Sequence, residues 1–149
     1  MRIFVTTGTT KFNSLVKEVL SLSENPSMKI TLQYPSKTFN HPRITHFRFT
    51  ENIDKYYKSA DIVITHAGAG TCYKLLESGI KPIVVPNLER SDSHQRELAL
   101  YIEKNNYSSV CWKIEKIEEY INKHEDSSFI EYQKDDFFYY DFIIAMSFM

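Results

Sequence analysis

Asp61-Ile62-Val63-Ile64-Thr65-His66-Ala67-Gly68-Ala69-Gly70-Thr71 reads as a strand that ends in a glycine turn and hands the chain to a helix. The run from Ile62 to Thr65 is short and mostly apolar, which suits a central strand of a parallel sheet covered on both faces. A helix starting at Gly70 or Thr71 has first-turn N–H groups with no partner inside the helix. Its macrodipole adds partial positive charge at the same end. A diphosphate is the natural guest for such a terminus, and Thr71 adds a hydroxyl donor. The glycine spacing is neither that of a Walker loop nor that of the dinucleotide fingerprint. The same residues therefore also read as a tight strand-to-helix turn with no ligand.

Glycine is scarce elsewhere: the chain has four in 149 residues. Gly8 follows the apolar start Ile3-Phe4-Val5, and Gly79 closes the helix after Thr71, just before Lys81-Pro82-Ile83-Val84-Val85-Pro86. Two loops, Thr6 to Thr10 and His66 to Thr71, thus become candidate phosphate cradles, where glycine lets backbone approach a ligand. Strands are expected at 2–6, 28–32, 44–49, 62–65, 83–85 and 109–112. Helical periodicity marks Phe12 to Leu20, stopped by Asn25-Pro26, then 52–59, 71–78, 92–105 and 114–123. Cys72, Leu75 and Leu76 are expected on the buried side of one helix, and Leu98, Tyr101 and Ile102 on that of a later one. Strands alternating with helices predict an α/β fold, a Rossmann-like parallel sheet with helices on both faces. Ligands bind such folds at the C-terminal ends of the strands, where both glycine loops lie.

A third loop follows Val85-Pro86-Asn87 and leads into Ser93-His94-Gln95-Arg96-Glu97-Leu98-Ala99. Gln95 carries donors and an acceptor, which suit sugar hydroxyls. Asp92 and Gln95 also have the spacing of a capping box, and His94 also reads as a solvated first-turn residue.

A net charge of −1 gives nucleic acid no electrostatic foothold. Cys72 and Cys111 fit neither a metal spacing nor a disulfide framework, as in a reduced cytosolic protein. The first residues run straight into a strand, so no signal peptide is expected, and no apolar run approaches the roughly 20 residues of a membrane span. The chain divides into a body, residues 1–124, and a tail, 125–149. The tail is polar and acidic to Asp136, then strongly apolar from Phe137 to Met149. It reads either as packing on its own core or as docking on a partner or membrane surface.

Val5-Thr6-Thr7-Gly8-Thr9-Thr10-Lys11-Phe12, His66-Ala67-Gly68-Ala69-Gly70-Thr71, the stretch Gly79 to Asn87 and His94-Gln95-Arg96-Glu97-Leu98-Ala99 occur in one order and spacing. Together they resemble the C-terminal, donor-binding domain of MurG-like glycosyltransferases (family 28) over about residues 2–122. The chain is most similar to short stand-alone versions. These are the catalytic subunit that adds the second GlcNAc to dolichol-diphosphate-GlcNAc, and bacterial exopolysaccharide subunits of the PssE type. The resemblance implies the C-terminal half of a GT-B glycosyltransferase that moves a sugar, best GlcNAc, from a UDP-sugar to a diphosphate-linked lipid saccharide with inversion. Gly8, Thr9 and Thr10 would lie near the donor diphosphate. His66 and Ala67 would shape the corner where Gly68, Ala69, Gly70 and Thr71 hold it. His94 and Gln95 would hold the donor sugar, and Asn87 would be a further donor-binding residue.

No metal or other cofactor is expected, because loop N–H groups and a helix dipole stabilise the leaving UDP. The acceptor site would come from a membrane-anchored partner subunit, placing this chain peripherally at the cytosolic membrane face. The general base is unassigned. His94 is the candidate within this chain, although it reads as a sugar contact. One position departs from the family pattern: Lys74 stands where the pattern has an acid for the ribose hydroxyls, and lysine cannot accept a hydrogen bond. Glu77, one turn later on the same face, is the possible substitute. Two other readings stay open, a non-catalytic UDP-sugar-binding or scaffolding paralogue and a UDP-sugar epimerase-like enzyme.

Overall fold

A computed structural model describes residues 1–91 and 93–134. Among these residues six strands form one parallel sheet: β1 (Arg2–Thr6), β2 (Lys29–Gln33), β3 (Ile44–Phe47), β4 (Ile62–His66), β5 (Ile83–Val85) and β6 (Ser109–Val110). Their order across the sheet is β3-β2-β1-β4-β5-β6. Among the described residues five α-helices connect or flank them: α1 (Asn13–Leu22), α2 (Ile53–Ser59), α3 (Ala69–Glu77), α4 (His94–Lys104) and α5 (Ile117–Lys123). The predicted α/β architecture is the observed one.

The strand sequences explain the layering. Side chains alternate across a sheet, so Ile3 and Val5 of β1 join the core that includes Leu15, Val19, Ile117 and Ile121 of α1 and α5. Phe4, between them, points the other way. It packs with Val63, Leu75 and Tyr57 beneath α2 and α3 and stacks on Phe47 and Tyr56. A third cluster joins Cys72 and Leu76 of α3 to Ala99 and Ile102 of α4 over Val84 and Val110. Every residue of β4 is buried, as its run of apolar residues predicts.

The strand order places the site. The chain runs from β1 out to β2 and β3, then crosses back so that β4 pairs with the other side of β1, Ile3 opposite Ile62 and Thr6 opposite Thr65. Strand order therefore reverses between β1 and β4. A crevice opens there at the C-terminal ends, which is where doubly wound sheets bind ligands.

Several boundaries differ from expectation. Helix α3 begins at Ala69, ahead of the expected Thr71, because Gly68 is extended and its carbonyl already accepts the Cys72 N–H at 2.9 Å. Gly79 closes the helix as expected: at φ +76° it lets Gly79 N–H reach Leu76 O and Ile80 N–H reach Leu75 O. Helix α4 turns Gln95, Ala99 and Ile102 inward. Leu98 is half-buried, and Tyr101, expected inside, is 40% exposed. The inner stripe is set instead by Gln95, which is held by loop N–H groups. Strand β3 ends at Phe47, leaving Phe49 78% exposed, and β6 stops at Val110. Residues 114–123 split into a 3₁₀ turn (Ile114–Lys116) and α5. His41, His46 and His124 are half-buried; the His46 ring lies 2.9 Å from the Tyr34 carbonyl.

Both cysteines are buried free thiols, and burial pushes Cys72 up to about 12, which leaves it unreactive. Beyond α5 the chain returns along the body. Ile130 N–H donates to Asn106 O, Lys81 Nζ donates to Ile130 O, and Tyr132 packs against Tyr73 and Tyr107. The apolar stretch 137–149 lies outside the described residues. Among those described, no helix is long and apolar enough to cross a membrane.

Candidate functional site

The loops after β1, β4 and β5 meet at the crevice between β1 and β4, and one side chain explains why two of them contain glycine. His66, the last residue of β4, is 8% exposed. Its ring lies between Gly8 and Gly68. A methyl group at Gly8 would stand 2.9 Å from His66 Cε1. One at Gly68 would stand 2.8 Å from Cε1 and closer still to Nε2. Gly8 also adopts φ +63°, a conformation that side chains resist. The two glycine loops are thus built around one imidazole.

That imidazole is held neutral. Burial pushes the His66 pKa below its usual value, and the positive charge of Arg90 adds to the effect; a hydrogen bond to the Thr6 backbone opposes them. Thr65 Oγ1 lies 3.3 Å from Nδ1.

The first loop is braced by Gln33, at the end of β2 and 6% exposed. Its carbonyl oxygen accepts the Thr6 hydroxyl, and its amide donates to Gly8 O at 2.9 Å and to Arg48 O at 2.8 Å. Gly8 N–H donates to Thr6 Oγ1 at 3.2 Å. The sequence reading missed Gln33; a polar amide directly after Leu32 at the C-terminal end of a strand was the available signal.

The second and third loops share one acceptor. Gln95 Oε1 takes the N–H groups of Ala67 at 3.1 Å and Asn87 at 2.9 Å. The carbonyl of Gln95 is therefore committed to the loops, and its amide donors are what it can offer a ligand. Asn87, 2% exposed, donates through Nδ2 to Lys11 O at 3.2 Å. Arg90 Nη1 donates to Thr10 Oγ1 at 3.3 Å. All three loops are stitched together before any ligand arrives.

Above them stands the start of α3. Among the described residues no side chain caps it, and its first turn holds no acid. A methyl group added at Gly70 would meet nothing within 4 Å. Thr9, Ala69, Gly70 and His94 are exposed around this terminus. The result is a shelf open to solvent whose N–H donors and helix dipole favour an anion.

Three expected site residues turn elsewhere. The Thr71 side chain lies against the Tyr57 phenol. Lys74 Nζ pairs with Asp54 Oδ1 of α2 at 2.9 Å, and Glu77 lies 3.9 Å from Lys134 Nζ. Asp92, half of the expected capping box, lies outside the described residues. A separate cleft of about 640 Å³ opens at the far end of the strands, between Arg2, Lys29, Thr31, Arg43, Thr45 and Tyr56. It shares no residue with the shelf. Among the described residues, no group of His, Cys, Asp and Glu is arranged to hold a metal ion.

Comparison with known proteins shows the family to which this fold belongs. The model of the glycosyltransferase family 28 C-terminal domain matches residues 2–137. A curated relative, UDP-N-acetylglucosamine transferase subunit ALG13 of Mus musculus, is 33% identical over 123 residues, covering 74% of this chain and 10% of its own. The chain spans between 10% and 27% of the length of the first curated relatives it matches. Among solved structures, the solution structure of ALG13 superposes with a TM-score of 0.62 at 18% identity, covering 89% of each chain. The crystal structure of Acinetobacter baumannii MurG gives 0.65 at 19% identity, covering 83% of this chain and 41% of that one. On this evidence the chain is a member of the glycosyltransferase family 28 C-terminal domain family.

Proposed function

We propose that this chain is the donor-binding subunit of an inverting glycosyltransferase that uses a UDP-sugar, best UDP-GlcNAc. One observation carries the reading: the Gly8 and Gly68 loops close on His66 directly beneath the uncapped start of α3. That arrangement offers fixed N–H donors and a helix dipole to a diphosphate. The relatives named as UDP-N-acetylglucosamine transferase subunits support the choice of nucleotide and sugar.

In the proposed reaction an acceptor hydroxyl oxygen bonds to the anomeric carbon of the sugar. The bond from that carbon to the β-phosphate oxygen breaks, and its electron pair stays on the UDP. The hydroxyl proton passes to a base on a partner polypeptide, which also holds the acceptor, a diphosphate-linked lipid saccharide at the cytosolic membrane face. The chain's part is electrostatic stabilisation of the leaving UDP by the α3 terminus and the loop N–H groups. This needs no metal ion.

Calorimetric titration of the chain with UDP, UDP-GlcNAc, UDP-glucose, UDP-galactose and NAD tests the reading. UDP-specific binding with one sugar preferred is the expected result. Equal binding of NAD, or none of UDP with or without a partner subunit, refutes it.

A second reading, a UDP-sugar-binding or scaffolding subunit without turnover, is favoured by the Lys74–Asp54 ion pair. If Lys74 is a defect in the nucleoside grip, Lys74→Glu raises UDP affinity sharply. A fall in affinity makes Lys74 a working residue.

A further inference from the structure

A nucleoside diphosphate sugar has two ends, and helix α3 has two flanks to receive them. Gln95 of α4 has amide donors to offer a sugar, so the donor reading places the sugar on the α4 flank. There α3 and α4 share the core over Val84 and Val110. The nucleoside leaves the diphosphate at the opposite end, toward the other flank. That flank belongs to α2, which meets α3 over Phe4 and Val63. A ribose arriving there brings two adjacent hydroxyls, and one carboxylate can accept from both.

Asp54 stands in the first turn of α2, which follows β3 and so begins at the same end of the sheet as the shelf. Lys74 Nζ reaches across from α3 and pairs with its Oδ1 at 2.9 Å. The same Nζ lies 6.0 Å from the centroid of the Tyr57 ring, which steadies the lysine. The Thr71 side chain, in the first turns of α3, lies against the Tyr57 phenol. Burial first, and then the Asp54 charge, push that phenol up to about 12. Asp54, Tyr57, Thr71 and Lys74 therefore form one cluster beside the start of α3. The ion pair is half-exposed on both sides, and such pairs contribute little to stability. Its effect on a ligand is larger. Lys74 offsets the charge of Asp54, so the carboxylate can stand near a diphosphate without repelling it. It also fixes the carboxylate while using one of its roughly four acceptor sites. Glu77, by contrast, ends α3 and lies 3.9 Å from Lys134 Nζ.

We infer that Asp54 is the ribose-binding residue of this chain, accepting from the 2′- and 3′-hydroxyls of a bound nucleoside diphosphate, with Lys74 as its positioning residue. The inference rests on the donor reading above. It makes the carboxylate on α2 the group that selects a ribonucleotide over a ligand lacking the diol.

The test is calorimetric titration of the full chain with UDP and with 2′,3′-dideoxy-UDP. Wild type is expected to prefer UDP about tenfold, as hydrogen bonds to a charged acceptor allow. Asp54→Ala should bring the two ligands within about twofold of each other. Lys74→Met should lose part of the preference, and Lys74→Arg, which keeps the charge, should retain it. A wild type that binds both ligands equally overturns this inference alone. So does an Asp54→Ala variant that keeps the preference, whatever its absolute affinities. A Lys74→Met variant with the full preference overturns the positioning role. A wild-type chain that binds neither ligand, alone or with a partner subunit, overturns the donor reading and this inference with it. Both side chains are half-exposed, so matching thermal midpoints are expected to show that the variants fold.

Discussion

Gly68→Ala puts the assembly of the site to a direct test. At φ −77° and ψ 127° the backbone of Gly68 is comfortable for alanine, so the substitution adds no backbone strain. What it adds is a methyl group 2.8 Å from His66 Cε1 and nearer still to Nε2. The ring has little room to shift, since His66 is 8% exposed and the same ring edge lies 2.9 Å from where a Cβ on Gly8 would stand. Overpacking of this kind costs about 1–3 kcal/mol. In urea unfolding that should lower the midpoint by about 1 M, with an unchanged slope near 1–3 kcal/mol/M. The loops should be displaced as well, and UDP affinity should fall at least tenfold. The decisive assay is the double-mutant cycle with His66→Ala. Once the ring is gone the methyl group has room, and the cost of Gly68→Ala should shrink to a few tenths of a kcal/mol. If Gly68→Ala costs the same with and without the imidazole, His66 is not what demands glycine there, and the account of the site fails.

Two further outcomes follow from the same geometry. Gly70→Ala meets nothing in the free protein and should stabilise it by up to about 1 kcal/mol through helix propensity; if the phosphates lie against this residue, thermal stability rises while UDP affinity falls, and titration beside melting checks the two together. His66 and His124 both have pKa values held below 6.5 in the folded chain, chiefly by burial. The unfolded state therefore binds protons first, so stability is present above about pH 6.5 and is lost as pH falls through the folded values. Urea midpoints between pH 5 and 8 should decline on the acid side, and less so in His66→Asn.

The fold was legible because its signals are local. Ile62 to Thr65 names a buried strand by composition, and Gly79 names a helix end by its place before Lys81-Pro82. Loop residues were legible by type: glycine after a strand marks close approach whatever it approaches. What it approaches was not legible. Gly8 and His66 are distant in sequence, and only the pairing of β1 with β4 reveals that the glycines serve the histidine. Gln33 and Gln95 were opaque for a related reason. A glutamine reads as a ligand contact or as a brace until its oxygen is seen to accept loop donors. Tyr101 misled because helical spacing admits two neighbouring stripes, and the buried one joins the apolar Ala99 and Ile102 to Gln95, whose oxygen accepts loop N–H groups.

The pairing of Ile3 with Ile62 carries a consequence for biogenesis. Sheet centre and shelf are the same contact, so the site cannot exist in any shorter N-terminal fragment. While the chain is being synthesised, β1 must wait for β4 to emerge, with β2 alone paired to its other edge. Until then the Gly8 loop has no imidazole to close on and nothing to hold. Competence to bind the donor is therefore acquired in one step with closure of the central strand pair, and a chain stalled before β4 presents an open parallel edge to whatever chaperone or strand is nearest.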